Sequence, residues 1–189
     1  MGKKALVFLA DGFEEVEAVT PIDYLRRAGI EVSSVAIGEE KTVTGSRGIR
    51  IAADTTIAEL EKTGGLNAEL WDAVFVPGGM PGASNLAACK TAGNFYKDMA
   101  VLGKITAAIC ASPAVFLAPL GLLEGKKFTC YPGMEKNVKG GIWLSEKVVV
   151  DGNLVTSRAP GTAAAFALAL IKKLVGEEEV KKLAEAALL

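Results

Sequence analysis

Short apolar runs alternate with amphipathic segments along the chain, and this alternation constrains the fold more than any other feature. KALVFLA at residues 4–10 is apolar after its first lysine, as expected for a parallel strand buried on both faces. In residues 14–29, apolar side chains recur at helical spacing up to a terminal glycine. These side chains are Val16, Val19, Ile22 and Leu25. Alternation of this kind predicts a doubly wound, mostly parallel α/β sheet flanked by helices.

The same criteria predict the remaining elements. Strands are expected at residues 31–37, 72–79, 104–110, 127–130, 147–151 and 154–157, and helices at 56–62, 83–88, 92–102, 113–119, 161–174 and 177–188. A hairpin is expected over residues 42–54, turning at the GSRG sequence. Because no linker, repeat or low-complexity segment interrupts the pattern, we predict a single domain over residues 1–189.

Composition and charge argue against several classes of protein. The net charge of the 189 residues is −1 and no basic block is present, which argues against binding to nucleic acid or to a membrane surface. The apolar run at residues 5–10 is too short for a signal peptide or a transmembrane span, so a cytoplasmic location is expected. Three cysteines without a CxxC pair, in a chain without histidine, favour neither a disulfide framework nor the common zinc sites. We expect no metal and no other cofactor.

Three corners of the predicted sheet are candidates for a functional site. In doubly wound sheets, ligands bind beyond the carboxyl ends of the strands, which places residues 10–12, 77–79 and 110–112 together. Cys110 lies where a strand meets a helix, whose free N–H groups would lower the pKa of the thiol and could hold an oxyanion. Alternatively, Cys110 is a small buried hydrophobic residue. Position alone leaves both interpretations open.

Other polar residues near these corners have a structural explanation as well as a functional one. Gly78 and Gly79 could present backbone N–H groups to an oxyanion, or could form only a tight turn. Glu17 could carry a raised pKa and exchange a proton with a thiol, although the residues alone favour a solvated helix face. Arg47 and Arg158 could contact an anion or a partner subunit, or be ordinary surface residues.

Four segments taken together resemble the ThiJ/PfpI (DJ-one) superfamily, and within it the branch of the bacterial ThiJ/YajL proteins and the parkinsonism-associated deglycase. These segments are KALVFLADGFEEVEAVTPIDYLRRAGIEV, FVPGGMPGASNL, AAICASPAVFLA and TSRAPGT. The resemblance runs from about residue 3 to residue 176. It implies a flavodoxin-like, three-layer α/β sandwich that forms a homodimer.

The resemblance also implies a role for individual residues. The reactive cysteine of the family, on a strained nucleophile elbow, corresponds to Cys110, and the helix glutamate hydrogen-bonded to it corresponds to Glu17. The backbone of Gly78 and Gly79 is implied to face the thiol together with that of Ala111. The remaining correspondence is Arg47, which matches an arginine near the dimer interface of the family.

The chain departs from the family pattern at several positions. Tyr131 replaces a histidine of the animal deglycase, and Ala111 stands where the protease branch has histidine, so a Cys-His protease or amidotransferase is disfavoured. Ser112 replaces a residue that is commonly Gly or Ala, and its hydroxyl could cap the helix or contact an anion. Cys89 and Cys130 match no motif, and we interpret them as structural or incidental.

Two functions are compatible with these residues. In the first, the Cys110 thiolate attacks a small reactive carbonyl compound or a glycated protein, as the glutathione-independent glyoxalases and deglycases of the family are held to do in stress protection. In the alternative, Cys110 is oxidised to a sulfinate and the protein acts as an oxidative-stress sensor or chaperone without turnover. A role in the thiamine pathway, which the ThiJ name suggests, has neither a phosphate loop nor a thiazole-specific feature in its support.

Overall fold

The apolar runs form the centre of one sheet in the computed structural model, which describes residues 2–189. The strands are β1 (Lys4–Leu9), β2 (Glu31–Ala36), β3 (Thr42–Thr44), β4 (Arg50–Ala52), β5 (Thr55–Thr56), β6 (Ala73–Val76), β7 (Ile105–Ile109), β8 (Lys127–Phe128), β9 (Ile142–Trp143), β10 (Val148–Asp151) and β11 (Leu154–Ser157). Seven of them form the main sheet in the order β10-β11-β7-β6-β1-β2-β5. All neighbours in it are parallel except β10 and β11. The predicted mostly parallel sheet is therefore confirmed.

Helices cover both faces of this sheet. They are α1 (Glu15–Arg27), α2 (Ile57–Lys62), α3 (Gly82–Ala88), α4 (Lys90–Val101), α5 (Ala163–Val175) and α6 (Glu177–Ala186). One apolar cluster joins the sheet to α1, α5 and α6, and a second joins its other face to α3 and α4. The strands between them are buried on both sides, as their continuous apolar sequences predict. This is the flavodoxin-like three-layer arrangement expected from the sequence.

The buried face of α1 differs from the predicted apolar stripe. Leu25 is buried as expected, but Val16 and Val19 are each 48% exposed, and two glutamates, Glu15 and Glu17, are buried in their place. Apolar spacing alone identified the helix but assigned part of its surface to the wrong side. The reason is that the first turn of α1 packs against polar backbone loops rather than against the apolar sheet.

Two other predicted elements are shorter in the structure. The strand expected at 72–79 ends at Val76, because Pro77 has no N–H to donate and two glycines follow. The helix expected at 113–119 is a π-helical segment, Pro113–Leu117, followed by turns through residue 125. The two-residue strand β9 was not predicted, since it is too short to show alternation.

The chain reverses its direction of travel across the sheet at β1, which has β2 on one side and β6 on the other. The loops after β1, β6 and β7 therefore meet at one edge, as expected at a topological switch point. The predicted hairpin forms from β3 and β4 as a separate two-stranded sheet, and it lies over this edge. Its backbone is bonded to the β1–α1 loop, through Gly12 N–H to the Thr44 carbonyl and Ser46 N–H to the Phe13 carbonyl.

Candidate active site

Cys110 lies on a sharp turn directly after β7, in a backbone conformation that side chains other than glycine rarely adopt. Its φ angle is +64°, and such a conformation costs about 1–3 kcal/mol when a non-glycine residue adopts it. Two backbone hydrogen bonds hold the turn: Cys110 N–H donates to the Ser157 carbonyl (3.0 Å), and Tyr131 N–H donates to the Cys110 carbonyl (2.8 Å). The thiol therefore lies at the end of the strand with its backbone fixed from two sides.

A cavity of about 630 Å³ opens above this cysteine. Cys110 is 8% exposed, so its sulfur is reached from the cavity while most of the residue is buried. Gly79 and Ala111, which neighbour the thiol, line the cavity, and so do exposed Arg47 and half-exposed Tyr131. Its remaining lining residues are Glu14, Ser46, Met80, Pro132, Met134 and Pro160. A volume of this size is typical of small-molecule sites.

Glu17 lies behind the cysteine, on the buried face of α1. It is fully buried, so the interpretation of this residue as part of a solvated helix face is wrong. Gly78 N–H donates to its Oε2 (2.8 Å), whereas Oε1 has no hydrogen bond of ordinary geometry. Burial raises the pKa of Glu17 to about 7, against smaller lowering contributions from Gly78 N–H and the Cys110 thiol. The buried carboxyl can therefore gain or lose a proton near neutral pH.

The two glycines after β6 make the close approach of these groups possible. A Cβ atom on Gly78 would lie 2.6 Å from Cys110 Cβ and 2.9 Å from Glu17 Oε2, which is closer than real Cβ atoms come. Gly79 has a φ angle of +85° and packs against the backbone of residues 12–14. The N–H groups of Gly79 and Ala111 lie near enough to the Cys110 thiol to lower its pKa, by less than burial raises it. The glycine-rich turn thus brings the N–H group of Gly79 towards the thiol, whereas that of Gly78 donates to Glu17 instead.

The pKa of the thiol does not follow the expectation from the sequence. Burial raises the pKa of Cys110 to about 12, together with the charge of Glu17 and its hydrogen bond, and the N–H groups of Gly79 and Ala111 lower it by less. The predicted lowering is wrong because only five residues of π-helix follow the elbow, and because a carboxylate lies beside the sulfur. Above about pH 7 the pair therefore holds one proton, on the thiol, and below that pH the Glu17 carboxyl is protonated as well.

Two other predicted site residues lie at different depths. Ser112 is fully buried, and its hydroxyl donates to the Pro77 carbonyl (2.5 Å) and forms no helix cap. It therefore joins the loop after β7 to the loop after β6, and its hydroxyl bonds to protein rather than lining the cavity. The Arg47 side chain is exposed at the cavity, where its guanidinium donates to the Ser46 carbonyl at 3.5 Å. Arg158, also considered from the sequence, does not line this cavity.

Glu15 is a second carboxylate buried on the first turn of α1. It is 5% exposed, and its Oε1 accepts a hydrogen bond from Arg47 N–H (2.6 Å). Burial alone would raise the pKa of Glu15, but the N–H groups of Arg47 and Ile49 and the Ser46 hydroxyl outweigh it and lower the pKa. The turn residues of the hairpin gave no signal in the sequence that a helix carboxylate would bind them.

The other cysteines lie apart from the cavity. Cys130 is fully buried in the apolar cluster on the other face of the sheet, and burial raises its pKa to about 12. Cys89 is partly exposed at the start of α4. Over residues 2–189, no three His, Cys, Asp or Glu side chains are grouped as a metal ion would require. In the same range, no helix combines the length and the apolar character needed to cross a bilayer.

Comparison with known proteins places these observations in a family. The sequence profile described as the DJ-1/PfpI family matches residues 3–173. DJ-1 homolog B of Arabidopsis thaliana is 42% identical over 183 residues, which are 97% of this chain but only 40% of that protein. The chain thus spans less than half of that relative. The glutathione-independent glyoxalase DJR-1.2 of Caenorhabditis elegans is 34% identical over 184 residues, covering 96% of this chain and 94% of that one.

Solved structures agree with the fold described above. The structure of oxidized Toxoplasma gondii DJ-1 superposes with a TM-score of 0.92 at 39% identity, over 99% of this chain and 98% of that one. Similarity at this level covers the elbow, the glycine-rich turn and α1 together.

Proposed function

Because the chain belongs to the DJ-1/PfpI family, we propose that it is a cysteine-dependent enzyme that converts α-oxoaldehydes to hydroxy acids without glutathione. One observation carries the proposal: the Cys110 thiol lies at the base of a cavity, beside a buried carboxyl, that of Glu17, whose pKa is about 7. The C. elegans relative named as a glutathione-independent glyoxalase supports the same reaction type. Such a reaction needs a thiol and one acid–base group, and no histidine.

The first step is addition of the thiol to the aldehyde. With methylglyoxal as the substrate, ionised Glu17 accepts the thiol proton as Cys110 Sγ bonds to the aldehyde carbon, because the free thiol has a pKa of about 12. The C=O π electrons move to oxygen, and the N–H groups of Gly79 and Ala111 are positioned to stabilise this oxyanion. The oxyanion then takes the proton back from Glu17 and becomes a hemithioacetal, which leaves Glu17 ionised for the next step.

The second step moves hydrogen between two carbons. Glu17 removes the proton from the carbon bonded to sulfur, which gives an enediolate, and returns this proton to the neighbouring carbon, while the hydroxyl proton passes from the first oxygen to the second. The product is a thioester of a 2-hydroxy acid on Cys110. Water then cleaves the thioester, which releases the hydroxy acid and restores the thiol. The net reaction adds one water to one oxoaldehyde, so no external oxidant or reductant is needed.

Turnover of methylglyoxal, measured by loss of the aldehyde and formation of lactate without glutathione, tests the proposal. Cys110→Ala and Glu17→Gln should each lower turnover by at least about 10²-fold, since each removes a group that bonds to the substrate or moves its proton. Cys89→Ala is the matched control and should retain wild-type turnover. For the wild type, kcat/KM should rise as pH increases through about 7, where Glu17 ionises. Wild-type turnover in Glu17→Gln would exclude the mechanism.

We extend the proposal to the substrates, the cellular role and the assembly of the protein. The same attack extends to carbonyl adducts on glycated proteins, and the activity would protect the cytoplasm under carbonyl stress. A homodimer is proposed as well, since Val16 and Val19 on α1 and Ile49 in the hairpin are 48%, 48% and 58% exposed and form no core contact. Apolar exposure of this kind marks a candidate protein interface.

A second candidate function is oxidative sensing, including a chaperone activity switched by oxidation. The observation in its favour is the unpartnered Oε1 of Glu17, which in its protonated form could donate to an oxygen of a Cys110 sulfinate. Two equivalents of peroxide would convert the thiol to sulfinate and release two waters. Mass spectrometry after mild peroxide treatment tests this: two oxygens on Cys110 alone favour sensing, whereas equal oxidation of Cys89 excludes it.

A further inference from the structure

Glu15 joins α1 to the hairpin of β3 and β4 through a buried carboxylate that takes no part in the proposed reaction. Its Oε1 accepts from Arg47 N–H (2.6 Å), and Ser46 Oγ lies 3.4 Å from Oε2 as a second donor. The residue is 5% exposed although it lies at a helix start. A charged group is therefore buried at the place where the hairpin turn meets the helix, with hydrogen-bond donors supplied by the turn.

The hairpin turn has the shape needed to receive this carboxylate. A Cβ atom on Gly45 would overlap the carboxylate of Glu15, so the absence of a side chain there leaves the space that Glu15 fills. The N–H groups of Arg47 and Ile49 also keep the carboxylate charged, since they lower its pKa despite burial. The contact is thus specific to a carboxylate in this position.

The turn that Glu15 binds forms one wall of the cavity. Ser46 and Arg47 both line it, as Cys110 does. Over residues 2–189 the Arg47 guanidinium forms no salt bridge, and its one protein hydrogen bond is the long contact to Ser46. Its place at the cavity is therefore set by its own backbone, and the backbone N–H of Arg47 is the group that Glu15 holds.

We infer that Glu15 is a positioning residue that holds the hairpin turn so that the Arg47 cation faces the cavity above Cys110, and that the site thereby favours electrophiles that carry a negative charge. The choice of substrate rests on the proposed function. The positioning itself does not, because it changes the environment of the thiol whether or not the protein turns over a substrate.

Two alkylating reagents of similar size test the inference without turnover. Iodoacetate is anionic and iodoacetamide is neutral, and both alkylate the same thiolate. The rate with iodoacetate divided by the rate with iodoacetamide at Cys110 is therefore a ratio in which any change in the thiol pKa cancels. In Glu15→Gln this ratio should fall about threefold, the size expected for loss of an exposed ion-pair contact. Removal of a negative charge alone would raise the ratio, so charge loss and mispositioning have opposite signs.

Matched variants separate these effects. Glu14→Gln removes the same charge from the cavity wall without touching the hairpin and should raise the ratio. Gly45→Ala changes no charge but displaces the Glu15 carboxylate, and it should lower the ratio as Glu15→Gln does. Gly45→Ala also serves if Glu15→Gln does not fold. In an Arg47→Gln background, Glu15→Gln should no longer lower the ratio, because the two residues act through one contact and only the loss of charge remains.

The outcomes are distinct from those that test turnover. A ratio that rises in Glu15→Gln, or that is unchanged in folded Gly45→Ala, overturns the inference whatever the wild type does with methylglyoxal. If the wild type has no turnover but the ratio falls as expected, the proposed function fails and the positioning role of Glu15 stands. If turnover occurs, a carboxylated oxoaldehyde should show a rise of about fivefold in KM in Glu15→Gln with little change in kcat.

Discussion

Two buried carboxylates on opposite sides of the first turn of α1 have pKa values shifted in opposite directions. On the hairpin side, Glu15 is surrounded by N–H and O–H donors, and its pKa is lowered. On the elbow side, Glu17 receives one N–H and leaves an oxygen without a partner, and its pKa rises to about 7. Both side chains are shielded from solvent, but Glu17 lies much deeper in the protein. Depth of burial and the number of donors together decide whether a carboxylate here serves as a fixed charge or as a proton carrier.

Filling the space between Glu17 and Cys110 should have the largest effect on activity. Gly78→Ala would place a methyl group 2.6 Å from Cys110 Cβ and 2.9 Å from Glu17 Oε2. We expect loss of turnover by about 10²-fold, since a displacement of about 1 Å at a reacting group costs that much. Gly38→Ala, where a Cβ meets nothing within 4 Å, is the control. Wild-type kinetics in Gly78→Ala would show that the pair need not be in contact.

The contributions of Glu17 and Glu15 to the free energy of unfolding should depend on pH in opposite directions. The pKa of Glu17 is raised when folded, so the unfolded chain loses this proton near pH 4.5 and the folded protein near pH 7. The contribution of Glu17 to stability is present below pH 4.5 and declines between pH 4.5 and 7, by about 3 kcal/mol. For Glu15, whose folded pKa is lowered, the contribution is present above pH 4.5 and is lost as pH falls below that value.

Urea unfolding of the wild type, Glu17→Gln and Glu15→Gln across pH 4 to 8 measures how the contribution of each carboxylate to stability depends on pH. Relative to Glu17→Gln, the wild type should lose stability as pH rises from 4.5 to 7. Relative to Glu15→Gln, it should be more stable by about 1–3 kcal/mol throughout that range, because the variant leaves buried donors of the hairpin poorly paired. Parallel profiles for the two variants would contradict the assignment of different roles.

The smallest expected effect lies at Ser112, which joins the two loops that carry the thiol and the glycines. Ser112→Ala removes the hydrogen bond to the Pro77 carbonyl and should lower the free energy of unfolding by about 1 kcal/mol. Because the hydroxyl faces protein rather than the cavity, KM should stay near its wild-type value. A large rise in KM with unchanged stability would instead favour the ligand contact considered from the sequence.

The sequence predicted most of the fold because buried strands leave a strong local signal. β1, β6 and β7 are continuous apolar runs, and the turn residues after them locate the edge where the site forms. The side of α1 that packs inward was harder to predict. Its first turn meets backbone N–H groups, so that Glu15 and Glu17 are buried while Val16 and Val19 are not.

The chemistry of the site was predicted only in part, because pKa values depend on contacts between segments distant in the chain. Local sequence placed Cys110 at a strand end and suggested a lowered thiol pKa. The carboxyl that reverses this direction comes from Glu17, and the donor that binds Glu17 comes from Gly78, sixty-one residues later. The hairpin contact of Glu15 spans a gap of the same kind, from residue 15 to residue 47.

Because Cys110 has a positive φ angle, a glycine at this position would relieve backbone strain and stabilise the protein, but it would remove the thiol. At φ +64° a glycine would sit without strain, and the cysteine does not. Cys110→Gly is thus a variant that selection for heat resistance alone would tend to enrich. If libraries selected at high temperature retain the cysteine only when the cells also face one particular chemical stress, that stress is the one against which the thiol acts.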